Sequence, residues 1–260
     1  MSAEVTHSGR FADVDFDASA DVAAGVARHG AGCSRLPVSA QSAVHERLLA
    51  VLERHRGAPF RKPYADYNRA AFAASMARRE RHAPQAPLIL DAGCGVGESS
   101  IRLARAFPDH YVIGVDQSAS RLARRIDGKT GGLPENLDLV RADLVDYWRL
   151  LGEAGIRLDR HYLLYPNPWP KIGHLSRRWH GHPVFPALLA LGGMLECRSN
   201  WRIYVEEFCL AVRALSGVPI HCELLTPRML AAQGGPQTPF ERKYRDSGHA
   251  LWRARAVLPR

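Results

Sequence analysis

The chain alternates short apolar runs with longer segments in which apolar residues recur every three or four positions. Seven apolar runs beyond residue 86 predict β-strands, and the periodic segments between them predict α-helices. Strands that alternate with helices of this length form βαβ units, so we predict an α/β fold with a mainly parallel seven-stranded sheet and helices on both faces. The predicted strands are 87–91, 111–116, 137–140, 162–165, 194–198, 218–224 and 249–257.

The first 84 residues follow a different pattern. Residues 1–38 mix Gly, Ala, Ser and Asp without sustained periodicity, which predicts a flexible tail with at most one short helix at 21–28. Residues 39–84 contain two stretches of helical spacing and predict a helical extension. The main domain is then expected to occupy residues 85–260.

Composition excludes several classes of protein. The chain has 260 residues, 46% of them hydrophobic and 23% charged, so it has ample material for a core and is not disordered throughout. Its longest apolar stretch, Pro186 to Leu195, is well short of the roughly 20 residues that a membrane span needs. Acidic residues near the N-terminus do not fit a secretory signal. We therefore expect no membrane association and a cytoplasmic location.

The five cysteines also fit that location. Their number is odd, and they show neither paired C-x-x-C spacing nor a cluster with histidine. Reduced thiols and no metal site are the simplest interpretation.

The segment Asp91-Ala-Gly93-Cys-Gly95-Val-Gly97 follows the first predicted strand and opens the next helix. Glycines there allow a tight turn and close approach of a ligand to the backbone, and the helix N-terminus presents free N–H groups. The order acid-x-G-x-G-x-G resembles the first motif of class I S-adenosylmethionine methyltransferases rather than G-x-G-x-x-G; a nucleotide-binding fold or a degenerate site are the alternatives. Further predicted cofactor residues follow the second and third strands: Asp116, Gln117 and Asp143.

A second motif follows the fourth predicted strand. It runs from Tyr165 to Arg178 and includes three prolines that alternate with other residues and stiffen the loop. Trp offers a stacking face and Arg binds phosphate in bidentate fashion, so the loop suits an aromatic, anionic substrate such as a nucleotide. A solvated proline-rich surface loop is the alternative.

At this point the chain resembles the bacterial tRNA (guanine-N7)-methyltransferase family over roughly residues 85–257. That family carries a Pro-Asp-Pro-Trp-x-Lys-x-x-His-x-x-Arg-Arg run, which 166–178 matches except at Asn167, and a Thr-x-Phe-Glu segment. The resemblance implies S-adenosyl-L-methionine as cofactor, tRNA as partner and methylation of a variable-loop guanine at N7. It places Asn167 at the catalytic position and implies substrate contacts by Lys171, His174, Arg177, Arg178, Asn200, Thr238, Phe240 and Glu241.

Two departures keep alternatives open. Asn167 and Asn200 replace acids of the family pattern, although Asn200 is also well placed to cap the following helix. The chain could therefore be a methyltransferase for a small purine-like molecule or an exocyclic amine, since Asn167-Pro-Trp-Pro partly echoes the run of amine methyltransferases. A catalytically weakened RNA-binding paralogue is a third interpretation.

The charge balance favours nucleic acid. The net charge is +9, nearly all of it carried by arginine, because the chain has only four lysines. Seven of the eight arginines in the predicted extension lie between residues 54 and 81, and others lie beside the substrate loop, a distribution that indicates an RNA-binding surface. The sequence leaves the oligomeric state open. The seven are Arg54, Arg56, Arg61, Arg69, Arg78, Arg79 and Arg81.

Overall fold

The apolar runs form the strands of one sheet that is covered on both faces. In the computed structural model, which describes residues 34–58, 60–124 and 132–259, the first two strands are buried at every position, as expected for parallel strands between helix layers. The short helix predicted at 21–28 and most of the predicted tail lie outside the described residues. The strands are β1 (Leu88–Ala92), β2 (Tyr111–Asp116), β3 (Leu137–Arg141), β4 (Arg160–Leu164), β5 (Gly193–Ser199), β6 (Cys222–Leu224) and β7 (Trp252–Leu258).

The strand order is β3-β2-β1-β4-β5-β7-β6. β1 to β5 pair in parallel, whereas β7 runs antiparallel between β5 and β6. The chain order reverses between β1 and β4, which is where open α/β sheets bind ligands at the carboxyl ends of their strands. The predicted seven-stranded, mainly parallel sheet is confirmed; β6 is shorter than the predicted strand at 218–224.

The described part of the chain contains nine α-helices. It also contains two short 3-10 turns, Ile172–Arg177 and Trp179–Gly181, which lie between β4 and α6. Helices α3 and α4 pack against β2 and β3, while α5, α6 and α7 belong to the opposite layer. The bounds are α1 (Leu48–Gly57), α2 (Asp66–His82), α3 (Glu98–Ala106), α4 (Ala119–Ala123), α5 (Leu144–Glu153), α6 (Phe185–Ala190), α7 (Arg202–Ser216), α8 (Pro227–Ala232) and α9 (Pro239–Asp246).

The predicted extension packs directly on the larger core. Leu48 and Leu52 of α1 are buried in the same cluster as Phe208 of α7, and Phe72 of α2 contacts Tyr147 of α5 edge-on. The described residues, from 34 to 259, group as one compact unit. We keep the boundaries at residues 38 and 84 as a proposal about domain organisation. Among the described helices, none is long and apolar enough to cross a bilayer.

Candidate active site

The glycine-rich loop lies at the carboxyl end of β1 and is held by a buried carboxylate. Asp91 accepts hydrogen bonds at Oδ2 from the hydroxyls of Ser99 and Ser100, both at 2.6 Å. Burial raises the pKa of Asp91, and these two hydroxyls oppose that shift. Asp91 thus fixes the start of α3 relative to the strand that precedes it.

The loop glycines adopt conformations that other residues rarely reach. Gly93, Gly95 and Gly97 have φ of 83°, 61° and 79°, in the left-handed region that glycine enters without steric cost. A Cβ added at Gly93 or Gly95 would meet nothing within 4 Å, whereas one at Gly97 would press on Leu139 at 3.0 Å. The first two glycines therefore border open space that a ligand can occupy, and the third allows close packing.

Asp116, at the end of β2, is hydrogen-bonded to this glycine-rich loop. Its Oδ2 accepts the Gly95 N–H at 3.0 Å, its Oδ1 accepts the Ser118 N–H at 2.8 Å, and the Arg121 guanidinium lies 3.3 Å away. The neighbouring Gln117 is exposed. The carboxylate that the sequence assigns to a ribose thus also organises the glycine turn.

Asp143 is the last of the predicted cofactor residues and lies just beyond the end of β3. Its side chain caps α5 by accepting the Val145 N–H at 2.9 Å, and its own N–H donates to Oδ1 of Asn68 at 2.9 Å. Asn68 is buried in α2 and also donates to Asp146, so the extension positions this part of the site. Because β1, β2 and β3 are neighbours, the structure brings the predicted cofactor residues to one edge of the sheet. Their donors, acceptors and open space fit S-adenosyl-L-methionine.

The loop after β4 is held in an unfavourable backbone conformation. Tyr165 and Trp169 have φ of 54° and 46°, which for bulky residues costs on the order of 1–3 kcal/mol each and persists only when surrounding contacts enforce it. Asn167 lies between them with an exposed side chain, and its Oδ1 accepts the Trp169 N–H at 3.3 Å.

Trp169 presents an aromatic surface flanked by polar groups. The Arg177 guanidinium stacks 4.8 Å from its ring, and the His174 imidazole meets it edge-on at 5.5 Å. Arg177 and Lys171 are exposed and His174 is half-buried. The structure therefore places the predicted residues Arg177 and His174 around Trp169, two residues from Asn167, at the carboxyl end of β4, and Lys171 is exposed on the same loop.

Arg178 does not share that surface. Its side chain is fully buried, pairs with Glu207 at 2.6 Å, and donates from Nε to the Trp169 carbonyl at 3.2 Å. A further bond reaches Gln41 at 3.0 Å. The sequence places Arg178 in contact with substrate, but the structure gives it a positioning role: it holds the backbone of the loop from inside.

Glu241 anchors the other end of the loop. Fully buried, it accepts bonds at Oε1 from the Tyr165 hydroxyl and from Arg198, both at 2.8 Å. Burial and Glu241 together raise the pKa of Tyr165. Thr238 caps α9 by accepting the Glu241 N–H at 2.9 Å, and neither Thr238 nor Glu241 exposes much surface. Phe240 is 47% exposed and is the member of this segment that is open to a substrate.

Asn200 does not cap α7, contrary to the interpretation from sequence. No side chain caps that helix, and the Trp201 N–H donates to the Ser199 hydroxyl at 3.1 Å. The Asn200 Nδ2 instead lies 3.1 Å from Nδ1 of His249. Asn200 therefore links the carboxyl end of β5 to the segment before β7.

The segment before α1 runs across these elements, which the sequence did not indicate. The Ser34 N–H donates to Ser247, the Ser39 hydroxyl donates to the Pro170 carbonyl at 2.6 Å, and the His45 N–H donates to Glu207. Residues 34–45 mix apolar and polar side chains in a pattern that gave no signal for these contacts.

No group of three or more His, Cys, Asp and Glu side chains within residues 34–58, 60–124 and 132–259 is arranged to hold a metal ion. The four cysteines in these ranges are all free thiols.

Comparison with known proteins shows which family the chain belongs to. A family model described as "Putative methyltransferase" matches residues 85–254. A tRNA (guanine-N(7)-)-methyltransferase of Saccharophagus degradans is 30% identical over 200 residues, which cover 74% of this chain and 85% of the relative. Proteins with the same name from Pseudomonas aeruginosa and Bordetella pertussis are 32% and 31% identical, over 65% of this chain and 69% and 66% of their own lengths.

Solved structures support the fold. The 16S rRNA methyltransferase KamB matches with a TM-score of 0.50 and 19% identity, over 76% of this chain and 96% of KamB. A structure described as an antibiotic related methyltransferase matches with a TM-score of 0.52 and 14% identity, over 70% of this chain and 94% of the other. The fold is that of class I methyltransferases, and the chain belongs to the tRNA (guanine-N7)-methyltransferase family of S-adenosylmethionine-dependent enzymes.

Proposed function

We propose that the protein methylates N7 of a guanine in tRNA, and that the guanine lies in the variable loop as the family resemblance implies. The observation that carries this proposal is the arrangement around Trp169. A stacking ring flanked by Arg177 and His174 projects from a rigid loop at the strand edge that also carries the glycine turn. The names of the relatives support tRNA as the substrate.

The chemistry demands alignment more than proton removal. Bound S-adenosyl-L-methionine supplies an electrophilic methyl group on a sulfonium. Guanine N7 has an available lone pair, so no base is needed to create the nucleophile, and correct positioning alone can contribute about 7–11 kcal/mol. A loop held by Arg178 at one end and Glu241 at the other suits this demand, because both anchors are buried and rigid.

In this proposal the Asn167 side chain contacts the edge of the guanine base. Its carboxamide offers one acceptor and a pair of donors, whereas the family's carboxylate offers acceptors and a negative charge. Asn167 can hold the guanine but balances less of the positive charge that develops on the methylated ring. Lys171, Arg177 and the half-buried His174 are then placed to contact the phosphates around the flipped nucleotide.

Asp91, Gly93, Gly95, Gly97, Asp116, Gln117 and Asp143 are the proposed cofactor residues. In this assignment the open space beside Gly93 and Gly95 receives the methionine part of the cofactor, and Asp116 faces its ribose. We keep Asn200, Thr238, Phe240 and Glu241 as substrate-side residues, of which only Phe240 is placed for direct contact. A cytoplasmic location remains part of the proposal.

An amine methyltransferase is the second candidate, because Asn167-Pro-Trp-Pro provides a carboxamide at the same loop. In such a site the carboxamide oxygen accepts a bond from the amine. Lys171, His174, Arg177 and Arg178, which follow Asn167, match the run of the guanine-N7 family rather than that of the amine methyltransferases, which favours N7 methylation as the primary proposal.

The decisive experiment incubates the protein with labelled S-adenosyl-L-methionine and unmodified bulk tRNA, followed by nucleoside mass spectrometry. We expect 7-methylguanosine. A matched tRNA with 7-deazaguanine in place of the variable-loop guanine should accept no label, because the receiving atom is absent. Label on an exocyclic amine, or on free purines alone, would reject the proposal.

A further inference from the structure

We infer that a basic cavity on the helical extension, remote in sequence from the family motifs, binds phosphates of the RNA backbone. This inference rests on the proposed function, since it assigns part of the same substrate to a second surface. The cavity is open to solvent and has a volume of about 570 Å³. Its lining residues are Arg54, His55, Ala58, Phe60, Arg61, Lys62 and Pro183.

The cavity concentrates positive charge that the protein does not neutralise. Arg54, Arg61 and Lys62 are exposed, and none of the residues described gives their side chains an ion-pair partner. No acidic residue lines the cavity. Unpaired guanidinium groups that converge on one concave surface are suited to phosphate oxygens, which they bind in bidentate fashion.

Other arginines of the extension are already engaged. Arg56 donates to the Ala214 carbonyl and pairs with Glu53, and Arg78 pairs with Asp138 at 2.7 Å. Arg79 donates to the Ala86 carbonyl at 3.0 Å. The structure thus separates arginines that hold the extension in place from those that face solvent at the cavity.

The cavity wall is rigid and partly aromatic. Phe60 meets the His182 ring edge-on at 5.4 Å and carries the Arg149 guanidinium at 5.4 Å from its centroid. Arg149 also donates to the Lys62 carbonyl at 2.7 Å, which fixes the backbone beside that cation. These contacts fix the backbone that carries Lys62 and the Phe60 ring, so this part of the wall need not be ordered when RNA binds.

The cavity lies close to the substrate loop. Pro183 follows Arg178 by five residues, so the backbone between them spans at most about 17 Å. One short turn, Trp179–Gly181, lies in this stretch, and His182 within it contacts Phe60. An RNA the size of tRNA extends well beyond this distance, so one molecule can contact both surfaces. The family model matches from residue 85 onward, after all three cations.

The test compares two triple variants with equal loss of charge. R54A/R61A/K62A removes the cavity cations, and R81A/R157A/R213A removes three exposed arginines that do not line the cavity. Binding of unmodified bulk tRNA is measured by fluorescence anisotropy from 50 to 300 mM salt, with S-adenosyl-L-methionine affinity as a check of folding. At 0.1 M salt we expect the cavity variant to bind at least about tenfold more weakly, with a salt slope lower by about 2, and the control to stay near wild type.

R54K/R61K keeps the positive charge but removes the bidentate geometry. We expect it to keep most of the wild-type salt slope, because the slope counts neutralised phosphates, and to bind more weakly than wild type. Equal behaviour of the cavity and control triples, with wild type still methylating tRNA, overturns the cavity assignment alone. Failure of wild type both to bind and to methylate tRNA overturns the proposed function and the cavity assignment together.

Discussion

Arg178 and Glu207 form an ion pair at 2.6 Å in which both side chains are fully buried. Glu207 also lies 2.8 Å from Nε2 of His180 and accepts the His45 N–H, and Arg178 reaches the Trp169 carbonyl. One buried pair therefore ties helix α7, the segment before α1 and the substrate loop together. A charge pair of this kind is costly to break because the remaining partner is left buried and unpaired.

Replacing Arg178 by Ala should destabilise the protein by about 3–5 kcal/mol, because Glu207 loses its charged partner in the interior. The adjacent R177A is the matched control. Arg177 is exposed and rests on Trp169, so its loss should change the free energy of unfolding by less than about 0.5 kcal/mol. Urea denaturation measures both. If both variants lost only a small and similar amount of unfolding free energy, Arg178 would not have a positioning role.

We expect R177A to weaken tRNA binding instead, with a smaller salt slope, if its guanidinium contacts a phosphate. In that case the Arg178 variant would mainly lose stability, whereas the Arg177 variant would mainly lose affinity for tRNA.

Acid should weaken the protein through Glu207. Burial alone would raise the pKa of Glu207, but its bonds from His180 and Arg178 outweigh burial and lower it to about 2 from 4.5. A folded-state pKa below the unfolded one stabilises the fold above pH 4.5, and this contribution is lost as pH falls towards 2. Because a tenfold change in proton affinity is worth about 1.4 kcal/mol, the stability lost in acid is about 3 kcal/mol.

E207Q tests this assignment by denaturation at a series of pH values. The variant should be less stable than wild type at pH 6, and the difference should shrink as pH falls from 4.5 towards 2.5. A difference that stays constant over that range would place the acid sensitivity in other groups.

Asp116 should be required for cofactor binding as well as for the shape of the loop. In D116N the amide keeps one acceptor, and its NH2 group faces a backbone N–H, so the Gly95 or the Ser118 bond is lost. We expect affinity for S-adenosyl-L-methionine, measured by calorimetry, to fall by at least about tenfold, or 1.4 kcal/mol. D109N removes the same charge at an exposed position ahead of β2 and is the control, which should leave the affinity near wild type; equal effects would contradict the role of Asp116.

The sequence predicted the sheet and its ligand edge because both depend on local patterns. Apolar runs that end in Asp91 and Asp116 identify strands and their carboxyl ends. Parallel pairing then brings those ends together regardless of the rest of the chain.

Contacts between distant segments could not be predicted in the same way. Nothing in the pair Arg177-Arg178 shows which arginine faces inward, because the choice depends on Glu207 in a helix 29 residues away. Glu207 itself gave a usable signal, since it lies within the apolar stripe of α7 beside Tyr204 and Phe208. A carboxylate in such a stripe requires a buried partner. The cap predicted at Asn200 is wrong because the real contact of this residue, His249, comes 49 residues later.

Asn167 offers the sharpest prediction about the reaction. Its carboxamide lies where the family carries a carboxylate, on a loop that Arg178 and Glu241 anchor at its two ends. The one loop bond of Asn167 itself, from the Trp169 N–H to Oδ1, can also be accepted by an aspartate. N167D should therefore leave the loop in place and restore a negative charge beside the guanine, where positive charge develops during methylation. We expect the rate of 7-methylguanosine formation to be preserved or raised, by up to about tenfold, or 1.4 kcal/mol. Single-turnover kinetics with saturating tRNA measures this step without the contribution of product release. N167A is the control: it removes both acceptor and donors and should be slower than either form. If N167D abolishes methyl transfer while cofactor affinity is unchanged, the site depends on the carboxamide, and an amine becomes the better substrate.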